Sequence, residues 1–186
     1  MAPTQPVRSE PPAGTPIVCR RVRSPSERAD HLAARQQVFV DEQAIFSESD
    51  TDSHDQDAST IALLGYWHGV FAGTVRLFVL DRAAGHWQGD RLAVLPPYRS
   101  CGLGAPLVRC AVGTAAALGG RRMTAHIQPA QVAFFRRLGW TEVGETEIYA
   151  GLVHQAMGIT LPDQEQGTAT VRRLAEGISA RDLSRH

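Results

Sequence analysis

The chain has 186 residues, enough for one domain with a sizeable core and short tails. Its 19 basic and 19 acidic residues cancel, so it lacks the basic excess that a nucleic-acid-binding protein usually carries. All the basic residues other than histidine are arginine, and a chain without lysine performs no Schiff-base or lysine-nucleophile chemistry.

Residues 1–14 are proline-rich and polar, and read as a disordered leader rather than a signal peptide. Thr15 to Arg23 reads as a first strand. Ser24, Pro25 and Glu27 then stand at the N-cap, first-turn and capping-box positions of a helix that carries Leu32, Val38 and Phe39 and ends near Val40. Asp41 to Ser59 is rich in carboxylates and reads as a short helix followed by a surface loop. Thr60 to Trp67 and Val70 to Leu80 are strands joined by His68-Gly69, a tight hairpin signal. A strand from about Gly89 to Leu95 ends at Pro96-Pro97, and a Gly-containing loop leads into an Ala/Val/Leu helix from about Leu103 to Leu118, stopped by Gly119-Gly120. Arg121 to Gln128 is a strand, Pro129 to Leu138 a helix, and Trp140 to Tyr149 with Gly151 to Thr160 a final strand pair. Residues 161–186 read as a polar tail or marginal helix. The order β-α-(α)-β-β-β-loop-α-β-α-β-β predicts one mixed α/β domain over residues 15–160, with helices on both faces of the sheet.

Cys19, Cys101 and Cys110 form no disulfide framework, and none is grouped with histidines at metal-ligand spacing. Asp52-x-His54-Asp55 offers only a few weak ligands on a loop, so no metal is expected. No apolar stretch is long enough to span a bilayer, so no membrane partner is expected and the default compartment is the cytoplasm.

The chemistry concentrates in the loop Arg99-Ser100-Cys101-Gly102-Leu103-Gly104, placed between a strand and a helix. A helix N-terminus presents unpaired N–H groups and partial positive charge, and glycines let a ligand approach the backbone closely; together these make a pyrophosphate cradle. Alone, Gly102-x-Gly104 is as well explained by a plain turn. A dinucleotide-binding fingerprint would need a third glycine, and a Walker loop would need a lysine.

The loop, preceded by Leu92-Ala93-Val94-Leu95-Pro96, resembles motif A of the GNAT acyltransferase superfamily. Ala133-Phe134-Phe135-Arg136-Arg137-Leu138-Gly139-Trp140 resembles its motif B, in the expected order. Val38-Phe39-Val40-Asp41-Glu42-Gln43 and Asp52-x-His54-Asp55 resemble the ElaA-like branch and, more narrowly, bacterial nitrogen-starvation N-acetyltransferases. The resemblance implies a mixed, mostly antiparallel sheet with a splayed strand pair into which acetyl-CoA enters. It implies that Leu92, Ala93 and Val94 meet the pantetheine, that Arg99, Ser100, Cys101, Gly102, Leu103, Gly104 and Ala105 hold the pyrophosphate, and that Phe135 and Arg137 cover the CoA tail. It also implies direct transfer to a primary amine and, often in this family, a homodimer.

For catalysis, His126 late in its strand is a candidate base, with a satisfied core histidine as the alternative. Glu42 is a candidate for binding or deprotonating the amine, against a solvated acidic face. Many GNAT enzymes use a tyrosine of the motif-B helix to protonate the leaving thiolate. Here Phe135 holds that position and cannot donate a proton, so Tyr149 is the substitute candidate. Three readings follow: acetylation of a small-molecule amine, acetylation of a protein or peptide, and a catalytically weak acyl-CoA sensor, which Phe135 favours.

Overall fold

The computed structural model describes residues 17–149, 151–179 and 182. The expected leader, residues 1–14, and the start of the first predicted strand lie outside the described residues. Seven strands form one sheet in the order β1-β2-β3-β4-β5-β7-β6. They are β1 (Ile17–Arg21), β2 (Ile61–Trp67), β3 (Val70–Asp81), β4 (His86–Val94), β5 (Arg122–Ile127), β6 (Thr141–Tyr149) and β7 (Leu152–Thr160). All pairings are antiparallel except that of β4 with β5. The helices are α1 (Pro25–Arg35), α2 (Gly104–Ala117), α3 (Val132–Arg137) and α4 (Gln164–Glu176).

The hairpin between β2 and β3 turns as the sequence predicts: His68 and Gly69 both take positive φ, which matches the twist of the flanking strands. Successive residues of a strand face opposite sides of the sheet, and β3 shows what each side carries. A Cβ on Gly73 would meet Leu107 and Leu103, beneath α2, whereas Thr74 receives His31 of α1. The helices therefore cover both faces. The core lies mainly under α2, with Leu63, Leu77, Leu103, Leu107 and Met123 almost fully buried.

Three segments differ from the sequence reading. The first helix does not stop near Val40. Ser24 caps it by accepting from the Glu27 amide, but beyond Arg35 it widens into π-helical turns over Gln36–Glu42, where Gln43 N–H donates to Val38 C=O. Such turns are rare and recur at functional sites. The acidic segment after it is not a solvated surface loop, because Asp50 is buried and its neighbours are bound by arginines. Finally, the C-terminal segment is a firm helix. Asp163 caps α4 by accepting from the Gln166 amide, and Leu174 is buried. α4 lies so close to α2 that a Cβ on Gly167 would come within 2.6 Å of Ala116 Cβ, so only glycine permits this approach. The period-3.6 pattern was visible in the sequence; the partner surface that stabilises it was not.

β4 and β5 pair over only three positions, His86 with Arg122, Trp87 with Met123 and Gln88 with Thr124, and then part. β4 is bent at this point. Two of its residues, Arg91 and Leu92, oppose one residue of β3, and Arg91 takes the left-handed φ of 51°. The bulge aims Arg91 towards the opening.

Candidate active site

A cavity of about 550 Å³ fills the gap where β4 and β5 separate. Its wall includes Gly104 and Phe134, Leu92 and His126, and Phe39 and Phe46.

Leu95 N–H donates to Ala72 C=O on β3, so by alternation the backbone groups of Leu92 and Val94 face the opening. Val94 C=O accepts from Arg99 Nε at 3.1 Å. Ala93 is buried within a small apolar cluster with Val38 and Phe39. Gly102, at φ 76°, makes the turn into α2, and neither a side-chain cap nor an acidic first-turn residue neutralises that helix end. The first amide to find a helical partner is that of Leu107, which donates to Leu103 C=O. The amides of Gly104 and Ala105 before it have no helical acceptor, and Pro106 has no N–H. Uncapped amides at a positive helix end, beside an open strand edge, fit a phosphate-bearing thioester such as an acyl-CoA. A Cβ on Gly104 would touch Phe134 at an ordinary 3.4 Å, so the protein itself leaves room there. The Leu103 side chain is core, so the loop offers its backbone at that position. Ser100 is exposed and Cys101 half-buried, while Arg137 is exposed and stands outside the cavity wall.

Glu42 and Arg99 are partners. They form a two-pronged pair at 2.6 and 2.7 Å, which ties the π-helical segment to the loop. The Arg99 hydrogen bonds hold the Glu42 carboxyl below its usual range, which suits a latch better than a base. Gln128 likewise donates to Gln43 at 3.3 Å, so the same segment touches both walls of the opening.

His126 and Tyr149 come together. Their rings stack in parallel, with centroids 4.7 Å apart. His126 Nδ1 lies 2.6 Å from Glu147 Oε1, a charge contact out of hydrogen-bond alignment that leaves this buried nitrogen without an aligned partner. His154 meets the Tyr149 ring edge-on, and its Nδ1 lies 2.9 Å from Leu152 C=O. A carbonyl only accepts, so that nitrogen carries a proton and Nε2 of the neutral ring is an acceptor. Arg91 Nη1 donates to the Tyr149 oxygen at 3.3 Å. A guanidinium cannot accept, so the phenol proton remains available to another group. Phe135 is buried edge-on against Phe134 and Trp140, a packing role for the position.

Behind Arg91 lies a buried charge network. Arg76 forks onto Asp90 and Asp52, and Arg35 onto Asp55 and Asp50. Arg91 itself donates to Asp50 from Nε, at 3.1 Å. Burial opposes the charge on Arg76, and the hydrogen bonds it donates to Asp90 and Asp52 outweigh that, so its pKa rises. His31 joins as a neutral ring. Thr74 donates its hydroxyl to Leu63 C=O, so it must accept from His31 Nδ1, which leaves Nε2 to accept from Arg35. Burial, followed by the Arg35 charge, pushes the His31 pKa down to about 3. The sequence reading missed Arg91, Glu147, His154 and the network. Arginines interrupting apolar strands, as in Val75-Arg76-Leu77, were the available signal for the last of these.

A splayed sheet, a bulged fourth strand and an uncapped helix N-terminus beside the gap make up the architecture of the acyltransferase class. Residues 26–140 match the Acetyltransferase (GNAT) family, and the chain belongs to that family. It is 27% identical over 129 residues to the uncharacterized N-acetyltransferase YjcF of Bacillus subtilis, covering 69% of this chain and 89% of that protein. Among solved structures, Escherichia coli ElaA superposes with a TM-score of 0.67 at 20% identity, over 78% of this chain and 99% of ElaA. A putative N-acetyltransferase from Lactobacillus plantarum gives 0.69 at 22% identity, over 79% and 99% of the two chains. These likenesses fit the mixed, mostly antiparallel sheet expected from the sequence.

Proposed function

We propose that the protein transfers an acetyl group from acetyl-CoA directly to the primary amine of a small molecule. The observation that carries this reading is the single cavity that joins the uncapped α2 N-terminus to the His126–Tyr149 stack. Acetyl-CoA, when bound, supplies the activated thioester. The chain's residues do the rest. Amides at the start of α2 hold the pyrophosphate, and the free edge of β4 at Leu92 and Val94 aligns the pantetheine, Arg99 releasing Val94 C=O as it does so. His126 takes the ammonium proton, directly or through water, with Glu147 stabilising the imidazolium. Tyr149, whose oxygen is anchored by Arg91, gives its proton to the leaving thiolate, the role that Phe135 cannot fill. Glu42 serves the loop as the partner of Arg99.

The three free cysteines accord with a reducing compartment, the cytoplasm in this reading. Kinship with the nitrogen-starvation group rests on the runs 38–43 and 52–55, which here build the π-helical wall and the charge network. The long edge strand β6, with Ile148 exposed, is the surface a homodimer would use. Protein acetylation remains the runner-up among enzymes.

Amine-dependent thiol release from acetyl-CoA tests the proposal. Gly104→Val should weaken acetyl-CoA binding by at least ~1.4 kcal/mol, a tenfold loss in affinity. Tyr149→Phe should lower turnover. Tight acetyl-CoA binding with no thiol release for any amine would replace the enzyme by an acyl-CoA sensor.

A further inference from the structure

We propose that the acceptor is a primary amine carried on an apolar body, aryl or alkyl, without a carboxylate. This rests on the acyl-transfer reading above and adds the substrate class.

The apolar wall comes first. Val38 and Phe39 on the π-helical turns, with Ile45 and Phe46 just after them, form a cluster separate from the main core and line the cavity. Ile45 and Phe46 are only partly buried, so they keep surface free for a guest. This wall adjoins the reacting groups: the Arg91 guanidinium lies 4.7 Å over the Phe46 ring while its Nη1 touches the Tyr149 oxygen.

The second observation is the charge the wall can offer. Its two guanidiniums are both committed. Arg91 is engaged by Asp50, Asp52 and Tyr149, and Arg99 by both oxygens of Glu42. A guest carboxylate would therefore find no free guanidinium on the wall, and Glu147, exposed just beyond the wall residue His126, would repel it at that end. A buried anion without a partner is strongly disfavoured. An ammonium finds the opposite situation, because Glu147 is met by His126 alone among the described residues. Cation-attracting at one end and apolar at the other, the site matches an amphiphilic amine. An acyl chain lodged against the same wall would have no use for Glu147.

The test uses the full chain with 2-phenylethylamine, phenylalanine (the same body plus a carboxylate), ethanolamine and spermidine. Thiol release from acetyl-CoA is measured alongside calorimetric binding of each amine to protein saturated with CoA. The expected result is a kcat/KM for 2-phenylethylamine at least ~10-fold above those of the other three, narrowed about tenfold by Phe46→Ala. Phenylalanine, ethanolamine or spermidine matching or exceeding 2-phenylethylamine overturns the inference while leaving acyl transfer standing. So does a preference for hexanoyl-CoA over acetyl-CoA that Phe46→Ala removes, because the wall would then hold the acyl chain. If no amine releases thiol, calorimetry decides. Phe46-dependent binding of 2-phenylethylamine supports the pocket and sinks the transferase reading; absence of that binding sinks the inference.

Discussion

The two walls of the opening handle charge in opposite ways. On the β4 side, Arg35, Arg76 and Arg91 are buried against Asp50, Asp52, Asp55 and Asp90, the first two by short, forked hydrogen bonds. On the β5–β7–β6 side, His126, Tyr149 and Glu147 are partly exposed and loosely matched, with one misaligned contact and a long hydrogen bond. A saturated network fixes geometry and has no donor or acceptor left for a guest. Groups with spare valence can exchange a proton. One wall is therefore scaffold and the other is where chemistry can occur, and the Arg91–Tyr149 contact is the hinge between them.

This division can be broken from either side. The largest loss of stability should come from Arg76→Met, which takes one arginine partner from each of Asp52, Asp55 and Asp90; about 3–5 kcal/mol is expected, read as a lowered urea midpoint. A near-neutral result would show that the network is not the scaffold. His126→Ala should leave that midpoint nearly unchanged and cut turnover by ~10²–10⁴-fold, without a matching rise in the Kd for acetyl-CoA. Near-normal turnover at saturating amine would return His126 to a structural role.

The smallest effect is a pH dependence. His31 is neutral in the fold, with a pKa of about 3, against an ordinary unfolded value near 6.5. The unfolded chain thus binds a proton that the folded chain refuses. This contribution is complete above about pH 6.5 and is lost as the pH falls from there towards 3. Roughly 2 kcal/mol should disappear between pH 6.5 and 5. Urea titrations at the two pH values, repeated on His31→Asn, check it: the variant's slope should be shallower by that amount.

The sequence made one half of this comparison legible. Gly102-x-Gly104 after an apolar strand pointed to the turn into α2 that lines the cavity, and His126 and Tyr149 were named separately because each stood near the gap in a consistent strand order. Their stacking was not readable, since it depends on β5 and β6 both flanking β7 in register. The scaffold half was harder to read. Asp50, Asp52 and Asp55 look like a solvated acidic loop until Arg35, Arg76 and Arg91 arrive from three other elements, and charge complementarity between distant segments leaves no local pattern. The Glu42–Arg99 pair was unreadable for the same reason: the two lie 57 positions apart along the chain. The C-terminal helix needed Gly113 and Gly167 to be seen as one close crossing.

The parting of β4 and β5 after three ladder pairs has a thermodynamic consequence. Two strand edges face each other across the opening without ladder partners beyond Gln88 and Thr124, and Val94 C=O is met there by the Arg99 side chain, a condition a sheet interior tolerates poorly. A ligand laid along that opening completes the sheet as an extra strand would. The binding free energy of such a ligand would then add to the cohesion of the whole fold by mass action, as if the sheet had borrowed a strand.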